Sequence, residues 1–213
     1  MTPLTELAHT LVQAVLQPGD IAIDATAGNG HDTQFLAECV GPTGTVYSFD
    51  IQLAALAVTS MRLAAASLNN VILFQRSHAE MPSALRDVRP GTVTAVMLNL
   101  GYLPGGDKRL TTQTASTITA IRDGLTLLAP GGIMTIVAYP GHRSGADEAV
   151  AVEKLLNDLS AAEFHVHEPS PTTVQSGAPR LFVVRKQMTQ PAHPTTNDAV
   201  DTDRHPAPAG RRA

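Results

Sequence analysis

The chain has 213 residues, enough for one α/β domain with a substantial core, and its net charge of −4 argues against broad, charge-driven binding to nucleic acid. Local recognition of one nucleotide in a folded RNA is not excluded. No apolar run is long enough to span a bilayer, no signal-peptide pattern opens the chain, and the single Cys39 cannot form an internal disulfide, so we expect a cytoplasmic protein with no membrane partner.

Strand and helix patterns alternate from residue 20 to residue 162. The predicted elements are, in chain order, a helix at 3–17, a strand at 20–23, a helix ending near 40, a strand at 45–50, a helix at 52–68, a strand at 71–74, a short helix ending near 88, a strand at 92–98, a helix at 111–128, a strand at 133–138, a helix at 144–162, and strands at 164–168 and 180–186. Ser144 and Asp147 resemble a capping box at the start of the last helix. The alternation predicts a mostly parallel sheet with helices on both faces, and the last two strands predict an antiparallel hairpin at one edge. Residues 1–187 are the predicted domain, and the Pro-rich residues 188–213 are predicted to be a disordered tail.

The turn after the first predicted strand is rich in glycine. Glycine permits backbone angles forbidden to other residues and lets a ligand approach the main chain. Free amides at the start of the next helix favour an anionic group such as a carboxylate or phosphate. The residues predicted to bind a ligand here are Asp24, Thr26, Gly28, Asn29, Gly30, His31 and Asp32. The alternative is an ordinary tight turn of a doubly wound domain.

An acidic residue, Asp50, closes the second predicted strand twenty residues after Gly30. A carboxylate there can accept hydrogen bonds from ribose hydroxyls, either in a nicotinamide dehydrogenase or in a methyltransferase, and the alternative is a helix cap. Two features favour a methyltransferase: Thr33 replaces the third glycine of Gly-x-Gly-x-x-Gly, and the loop from Asn99 resembles the substrate-side motif of amine-modifying methyltransferases. The segments predicted to flank adenine are Gln52 and His78-Ala79.

If the chain is a methyltransferase, two loops, at residues 99–108 and 139–143, are predicted to face the methyl group that is transferred. An amine acceptor with a pKa of about 10 is mostly protonated at neutral pH, so a base or a dry site must disfavour the ammonium form. The predicted catalytic residues are Asn99, Tyr102, Asp107, which orients the ammonium, and His142, which takes the proton. Either Asn99 or the Leu100 carbonyl holds the amine, and Asn99 is also predicted to bind the cofactor. For His142 the alternative is a polar loop residue bonded to the backbone. Because no Cys or further His accompanies His165 and His167 on their strand, no metal site is expected.

Together these motifs resemble one family, the small bacterial methyltransferases labelled rRNA methylases, some of which are tRNA wobble-uridine methyltransferases. The resemblance spans residues 4–186 and rests on residues 24–33, 49–52, 78–79, 99–108 and 139–142. It implies a Rossmann-like class I methyltransferase fold with strand order 3-2-1-4-5-7-6 and S-adenosyl-L-methionine as cofactor. It also implies contact with a tRNA anticodon loop, where 5-aminomethyl-2-thiouridine at position 34 would gain one methyl group.

Four alternatives to that function stay open. An rRNA or small-molecule amine methyltransferase comes next, and a dehydrogenase or a non-catalytic nucleotide-binding module is least favoured. Residues 175–180 depart from the Asn/Pro-rich segment typical of the family, which would change the substrate if this loop touches the anticodon. Pairing of two copies through the edge hairpin or the first helix is also open.

Overall fold

Seven strands form one sheet in the computed structural model, which describes residues 3–103, 105, 110–141, 143–169 and 177–188. The strands are β1 (Ile21–Asp24), β2 (Thr45–Asp50), β3 (Val71–Gln75), β4 (Val93–Asn99), β5 (Leu128–Ala138), β6 (Phe164–His167) and β7 (Arg180–Lys186). Their order across the sheet is β3-β2-β1-β4-β5-β7-β6. Strands β1 to β5 run parallel, and β7 runs antiparallel to both β5 and β6. The predicted strand order and antiparallel edge hairpin are therefore confirmed.

Helices lie against both faces of the sheet. They are α1 (Leu4–Gln13), α2 (His31–Val40), α3 (Leu53–Ala65), α4 (Met81–Ala84), α5 (Thr114–Leu127) and α6 (Arg143–Asn157), and a 3-10 turn at His78–Glu80 precedes α4. Within the described ranges, none of the helices has both the length and the apolar character that crossing a bilayer requires. Of the predicted tail, only Met188 belongs to the described residues, so the boundary near 188 stays a prediction.

The first helix is shorter than its apolar pattern predicts. It ends at Gln13, because the Val15 N–H donates to the Val12 carbonyl at 3.0 Å in a tight turn rather than continuing the helix. This turn still carries Leu16 into the core, where it is buried. The apolar spacing therefore includes the buried residues Ala8, Val12 and Leu16 but placed the end of the helix too late.

Other element boundaries also differ from the prediction. Helix α5 begins at Thr114 because Thr111 instead pairs with Tyr102 in an isolated antiparallel bridge. Helix α6 begins at Arg143, so Ser144 lies inside the helix and the predicted capping box is wrong. Among the other differences, α3 ends at Ala65 instead of 68, α4 ends at Ala84 instead of near 88, α6 ends at Asn157 instead of 162, and β5 begins at Leu128 instead of 133.

The two faces of the sheet carry separate apolar clusters. In β4, Val96 and Leu98 belong to the cluster covered by α4, α5 and α6, whereas Ala95 and Met97 belong to the cluster covered by α1 and α2. Because both faces are covered, the central strand is apolar along most of its length, as parallel sheets require. The parallel strands β1 to β5 all end at one edge of this sheet, which is where doubly wound proteins place their ligands.

The connection between α2 and β2 allows a direct test of this packing. A Cβ atom added at Gly44 would lie 2.5 Å from the Val40 Cβ and 2.6 Å from the carbonyl oxygens of Val40 and Asp20. Since Val40 is fully buried and the other two atoms belong to the main chain, Gly44→Ala should lower the free energy of unfolding by about 3 kcal/mol in urea denaturation.

Gly91→Ala is the comparison for this prediction. Gly91 has a φ of +77° and nothing within 4 Å of an added Cβ, so only backbone strain of about 1 kcal/mol is expected. Equal losses in the two variants would contradict the packing at Gly44.

Candidate functional site

A cavity of about 1370 Å³ opens at the edge of the sheet where β1, β2, β4 and β5 end. The predicted site residues that line it are Thr26, Gly28, Asn29, His31, Asp32, Asp50, Gln52, His78, Asn99 and Tyr102. Three others, Asp24, Gly30 and Ala79, are not part of the lining, and Asp107 and His142 lie outside the described residues. Ligand cavities usually measure about 300–1,000 Å³, so this one has room for two reactants.

The glycine turn is shaped by two residues with left-handed backbone angles, Gly28 at φ +51° and Gly30 at φ +78°. A Cβ atom on Gly30 would lie 2.8 Å from the Thr59 side chain, so α3 can pack here only against a glycine. The Thr59 hydroxyl donates to the Gly28 carbonyl at 3.1 Å. Gly30 is also the N-cap of α2, and no described side chain caps that helix. Its first amides therefore remain available to an anionic group.

Asp24 supports this turn from behind rather than from the cavity. Its buried carboxylate accepts hydrogen bonds from the Thr26 amide at 3.0 Å and the Thr33 hydroxyl at 2.5 Å. Thr33 Oγ1 is in turn 2.8 Å from Ser48 Oγ on β2. Burial, reinforced by the charge of Asp32, raises the pKa of Asp24 to about 7. The threonine at the third glycine position is therefore a structural partner of Asp24.

Asp32 is the acidic group that this turn presents to the cavity. Its Oδ1 lies 2.6 Å from Nε2 of His9, and the His9 ring stacks on Phe35 with a 3.9 Å centroid separation. His9 comes from α1 and lines the cavity as well. This pair could not be predicted from the sequence, because helical spacing shows which face of α1 is buried but not which distant residue that face contacts.

Asp50 connects the glycine turn to the end of β2. One carboxylate oxygen accepts the Gly28 amide at 2.9 Å, and the other accepts the Gln52 amide at 2.8 Å. The N-cap residue of α3 is Gln52, so the alternative interpretation of Asp50 as that helix's N-cap does not describe the structure. A carboxylate has about four acceptor sites, so Asp50 can take further hydrogen bonds from a ligand.

His78 closes the far end of the cavity. Its Nδ1 is 3.2 Å from the Ala25 carbonyl and its Nε2 is 3.3 Å from Ser116 Oγ. Because a carbonyl oxygen only accepts, Nδ1 carries the hydrogen, and burial lowers the pKa of this imidazole. The lowered pKa favours the neutral imidazole, and the Ser116 hydroxyl beside Nε2 also donates to the Gln113 carbonyl at 2.9 Å. Ser77, just before it, caps the 3-10 turn and accepts the Ala79 amide.

The loops after β4 and β5 form the other wall of the cavity. The Asn99 amide donates to the Thr26 hydroxyl at 2.7 Å, which ties the end of β4 to the glycine turn. Tyr102 is 39% exposed, and Tyr139 lines the cavity from the loop after β5. Burial, and then the nearby Asp32, raises the pKa of Tyr139, so its hydroxyl keeps the proton. Sequence reasoning did not select Tyr139, although it stands in a loop that was predicted to face the site.

Several known proteins resemble this chain. A family model described as "Putative rRNA methylase" matches residues 46–185. A chloroplastic tRNA (mnm(5)s(2)U34)-methyltransferase from Arabidopsis thaliana is 37% identical over 169 residues, which cover 75% of this chain and 61% of that protein. The chain therefore spans about three fifths of the length of this relative.

Solved structures also match over most of the chain. A "putative rRNA-methylase" from Clostridium thermocellum has a TM-score of 0.82 and 35% identity, covering 87% of this chain and 98% of its own. A "putative methyltransferase" from Streptococcus mutans, in complex with SAH, has a TM-score of 0.77 and 34% identity, covering 87% of this chain and 99% of its own.

The buried carboxyl of Asp24 predicts a specific dependence of stability on pH. Its pKa is about 7 in the folded chain against 3.8 in the unfolded one, so the folded chain binds this proton more tightly. The resulting stabilisation is complete below pH 4 and is lost as the pH rises to about 7. Asp24→Asn removes this titration. Denaturation curves are measured from pH 4 to 8. Over this range the free energy of unfolding of Asp24→Asn, relative to that of wild type, should increase by several kcal/mol.

Ser48→Ala is the control for the Asp24 prediction. It removes the hydroxyl next to Thr33 but keeps the carboxyl, so it should be less stable than wild type at every pH with the same pH dependence. Parallel curves for Asp24→Asn and wild type would show that Asp24 does not titrate in this range.

Proposed function

This chain belongs to the family described as "Putative rRNA methylase", and from that premise we propose that it is an S-adenosylmethionine-dependent N-methyltransferase. Its acceptor is the 5-aminomethyl group of a uridine or 2-thiouridine at the tRNA wobble position, which becomes 5-methylaminomethyl. The observation that carries the proposal is one cavity that joins the glycine turn, the Asp50 carboxylate and the loop from Asn99. The name of the Arabidopsis relative supports the tRNA acceptor.

The cavity residues fit S-adenosylmethionine part by part. The uncapped first turn of α2 suits the methionine carboxylate, and Asp32, at the cavity surface, suits the ammonium group. Asp24 acts on the same end of the cofactor through the turn that it supports. The free acceptor sites of Asp50 suit the ribose hydroxyls, and the far end, near Gln52 and His78, suits adenine.

The acceptor amine is placed by the loops after β4 and β5. S-adenosylmethionine, when bound, supplies an electrophilic methyl group on a sulfonium ion. The chain's own task is to hold a neutral amine in line with it and to exclude water. Tyr139, whose raised pKa keeps its hydroxyl protonated, serves as a hydrogen-bond donor rather than as a base. The proposed base, His142, and the proposed orienting group, Asp107, remain proposals on residues outside the described part of the chain.

A dehydrogenase is disfavoured by the surroundings of Thr33. In Gly-x-Gly-x-x-Gly proteins the third glycine allows close packing of helix and strand. Here a fully buried threonine occupies that position and donates its hydroxyl to Asp24. The turn is thus built around a buried carboxylate. The cytoplasmic location, the local contact with the anticodon loop and the pairing of two copies remain proposals.

Mass spectrometry of nucleosides tests the proposed function. Undermodified tRNA carrying 5-aminomethyl-2-thiouridine is incubated with the protein and S-adenosylmethionine and then digested. The expected product is the 5-methylaminomethyl nucleoside, with a mass gain of one CH₂ unit because a methyl group replaces a hydrogen on nitrogen. If 23S or 16S rRNA fragments are methylated and the tRNA nucleoside is unchanged, the acceptor is rRNA and the proposed tRNA acceptor is wrong. Calorimetric binding of NAD, with no binding of S-adenosylmethionine or SAH, would overturn the methyltransferase itself.

Asp50 and Tyr102 are predicted to affect different steps. In Asp50→Asn the side-chain NH₂ group faces the main-chain N–H of Gly28 or of Gln52, so one of these donors loses its acceptor. The Kd for SAH, measured by calorimetry, should therefore rise by about 10-fold or more. Tyr102→Phe should lower kcat about 10-fold and leave the Kd for SAH within about twofold, because Tyr102 lies in the loop after β4, which is proposed to hold the acceptor.

Asp158→Asn controls for the loss of one negative charge. Asp158 is exposed just beyond the end of α6 and does not line the cavity, so both constants should match wild type. Loss of SAH binding in Tyr102→Phe to the same extent as in Asp50→Asn would place Tyr102 on the cofactor side instead.

A further inference from the structure

Glu148 is a buried acidic residue that the proposed reaction does not use. It lies in α6 and is 3% exposed. One carboxyl oxygen accepts the Thr112 hydroxyl at 2.7 Å, and the other accepts the Thr117 hydroxyl at 2.6 Å. Burying a carboxyl group costs free energy that these two donors offset only in part, so its location needs an explanation beyond stability.

The partner Thr112 closes the loop that follows β4. Its amide donates to the Gly101 carbonyl at 2.9 Å, and its hydroxyl oxygen accepts the Gly101 amide at 2.9 Å. The adjacent residues, Tyr102 and Thr111, form an antiparallel bridge. The single hydroxyl hydrogen of Thr112 goes to Glu148, so a continuous chain of hydrogen bonds runs from Gly101 through Thr112 to α6.

The helix that carries Glu148 also begins at the second acceptor-side loop. Helix α6 starts at Arg143, directly after the loop that contains Tyr139, and Glu148 lies five residues later. At 1.5 Å per residue this is about 8 Å from the start of the helix. Glu148 therefore links the loop after β4 to α6, and α6 directly follows the loop after β5. Gly101 and Tyr139 are close neighbours, since a Cβ at Gly101 would lie 3.7 Å from the Tyr139 ring.

We propose that Glu148 is a positioning residue for the methyl acceptor. It holds the hydrogen-bonded pair Gly101 and Thr112 against α6. This contact sets the positions of Tyr102 and Tyr139 relative to each other. Group transfer is sensitive to such placement, because a displacement of about 1 Å can cost about 100-fold in rate. The inference rests on the proposed function, since it assigns these loops to the acceptor.

Glutamine keeps only one of the two acceptor oxygens of the carboxyl group. Its one carbonyl oxygen can accept from either Thr112 or Thr117, and its NH₂ group then faces the other hydroxyl. If it faces Thr112, the hydroxyl hydrogen of Thr112 has lost its acceptor while its oxygen already accepts from Gly101. The chain of hydrogen bonds is then broken at Thr112.

The test compares Glu148→Gln with Glu153→Gln, on the same helix. Glu153 is paired with Arg180 at 2.9 Å and does not line the cavity. Glu148→Gln should lower kcat/KM for the tRNA acceptor about 30-fold and keep the Kd for SAH within about twofold, whereas Glu153→Gln should match wild type in both. Wild-type acceptor kinetics in Glu148→Gln, or an equal loss of SAH affinity, would overturn the proposal.

A second pair of variants tests the same chain of hydrogen bonds if the Glu148→Gln chain fails to fold. Thr112→Val removes the hydroxyl with little change of shape and should reproduce the 30-fold loss, whereas Thr112→Ser retains the hydroxyl and should stay within about threefold of wild type. Equal effects of Val and Ser would overturn the proposal.

Hydrogen exchange separates this proposal from the proposed function. With SAH bound, the amides of Gly101 and Thr112 should exchange faster in Thr112→Val and Glu148→Gln than in wild type, but not in Thr112→Ser or Glu153→Gln. Unchanged exchange in the first two variants would overturn the positioning role. If the wild-type chain methylates no tRNA, the proposed function fails, and the exchange data alone still decide whether Glu148 fixes the loop.

Discussion

The hydrogen bonds that the turn after β1 makes to its neighbours are the constraint on which the site depends. Behind the turn, the buried Asp24 carboxyl holds Thr33 at the start of α2. On one side the Gly28 amide donates to Asp50 at the end of β2, and on the other the Thr26 hydroxyl accepts the Asn99 amide at the end of β4. Each bond joins a different element to a few consecutive residues, so the ends of three strands are fixed relative to one another before any ligand binds.

Much of the fold could be predicted from local sequence, because burial leaves a periodic pattern. Strand β4 is apolar on both faces since helices cover both, and its run at 92–98 shows this directly. The end of α1 was missed, because the tight turn at Val15 preserves the apolar spacing that predicts a longer helix. The strand order came from family resemblance rather than from periodicity, since local patterns do not state which strands are neighbours.

The candidate site was predictable where its residues are consecutive and not where they meet through folding. Ten predicted residues line the cavity, and most belong to short motifs at strand ends. His9 and Asp32 are 23 positions apart, and Thr112 and Glu148 are 36 apart, so nothing local in the sequence connects them. Asp24 shows a further limit, because the sequence placed an acid at the turn but could not show that its side chain lies behind the turn rather than in the cavity.

The same chemical arrangement holds both walls of the cavity: a buried carboxyl group that accepts a threonine hydroxyl. Asp24 accepts from Thr33 on the proposed cofactor wall, formed by the glycine turn, and Glu148 accepts from Thr112 on the proposed acceptor wall, formed by the loops after β4 and β5. The two walls meet at the hydrogen bond from the Asn99 main-chain amide to the Thr26 hydroxyl. Each carboxyl group bonds to residues of its own wall, so separate contacts hold the two walls. This separation explains why the glycine turn identifies a cofactor class more readily than a substrate.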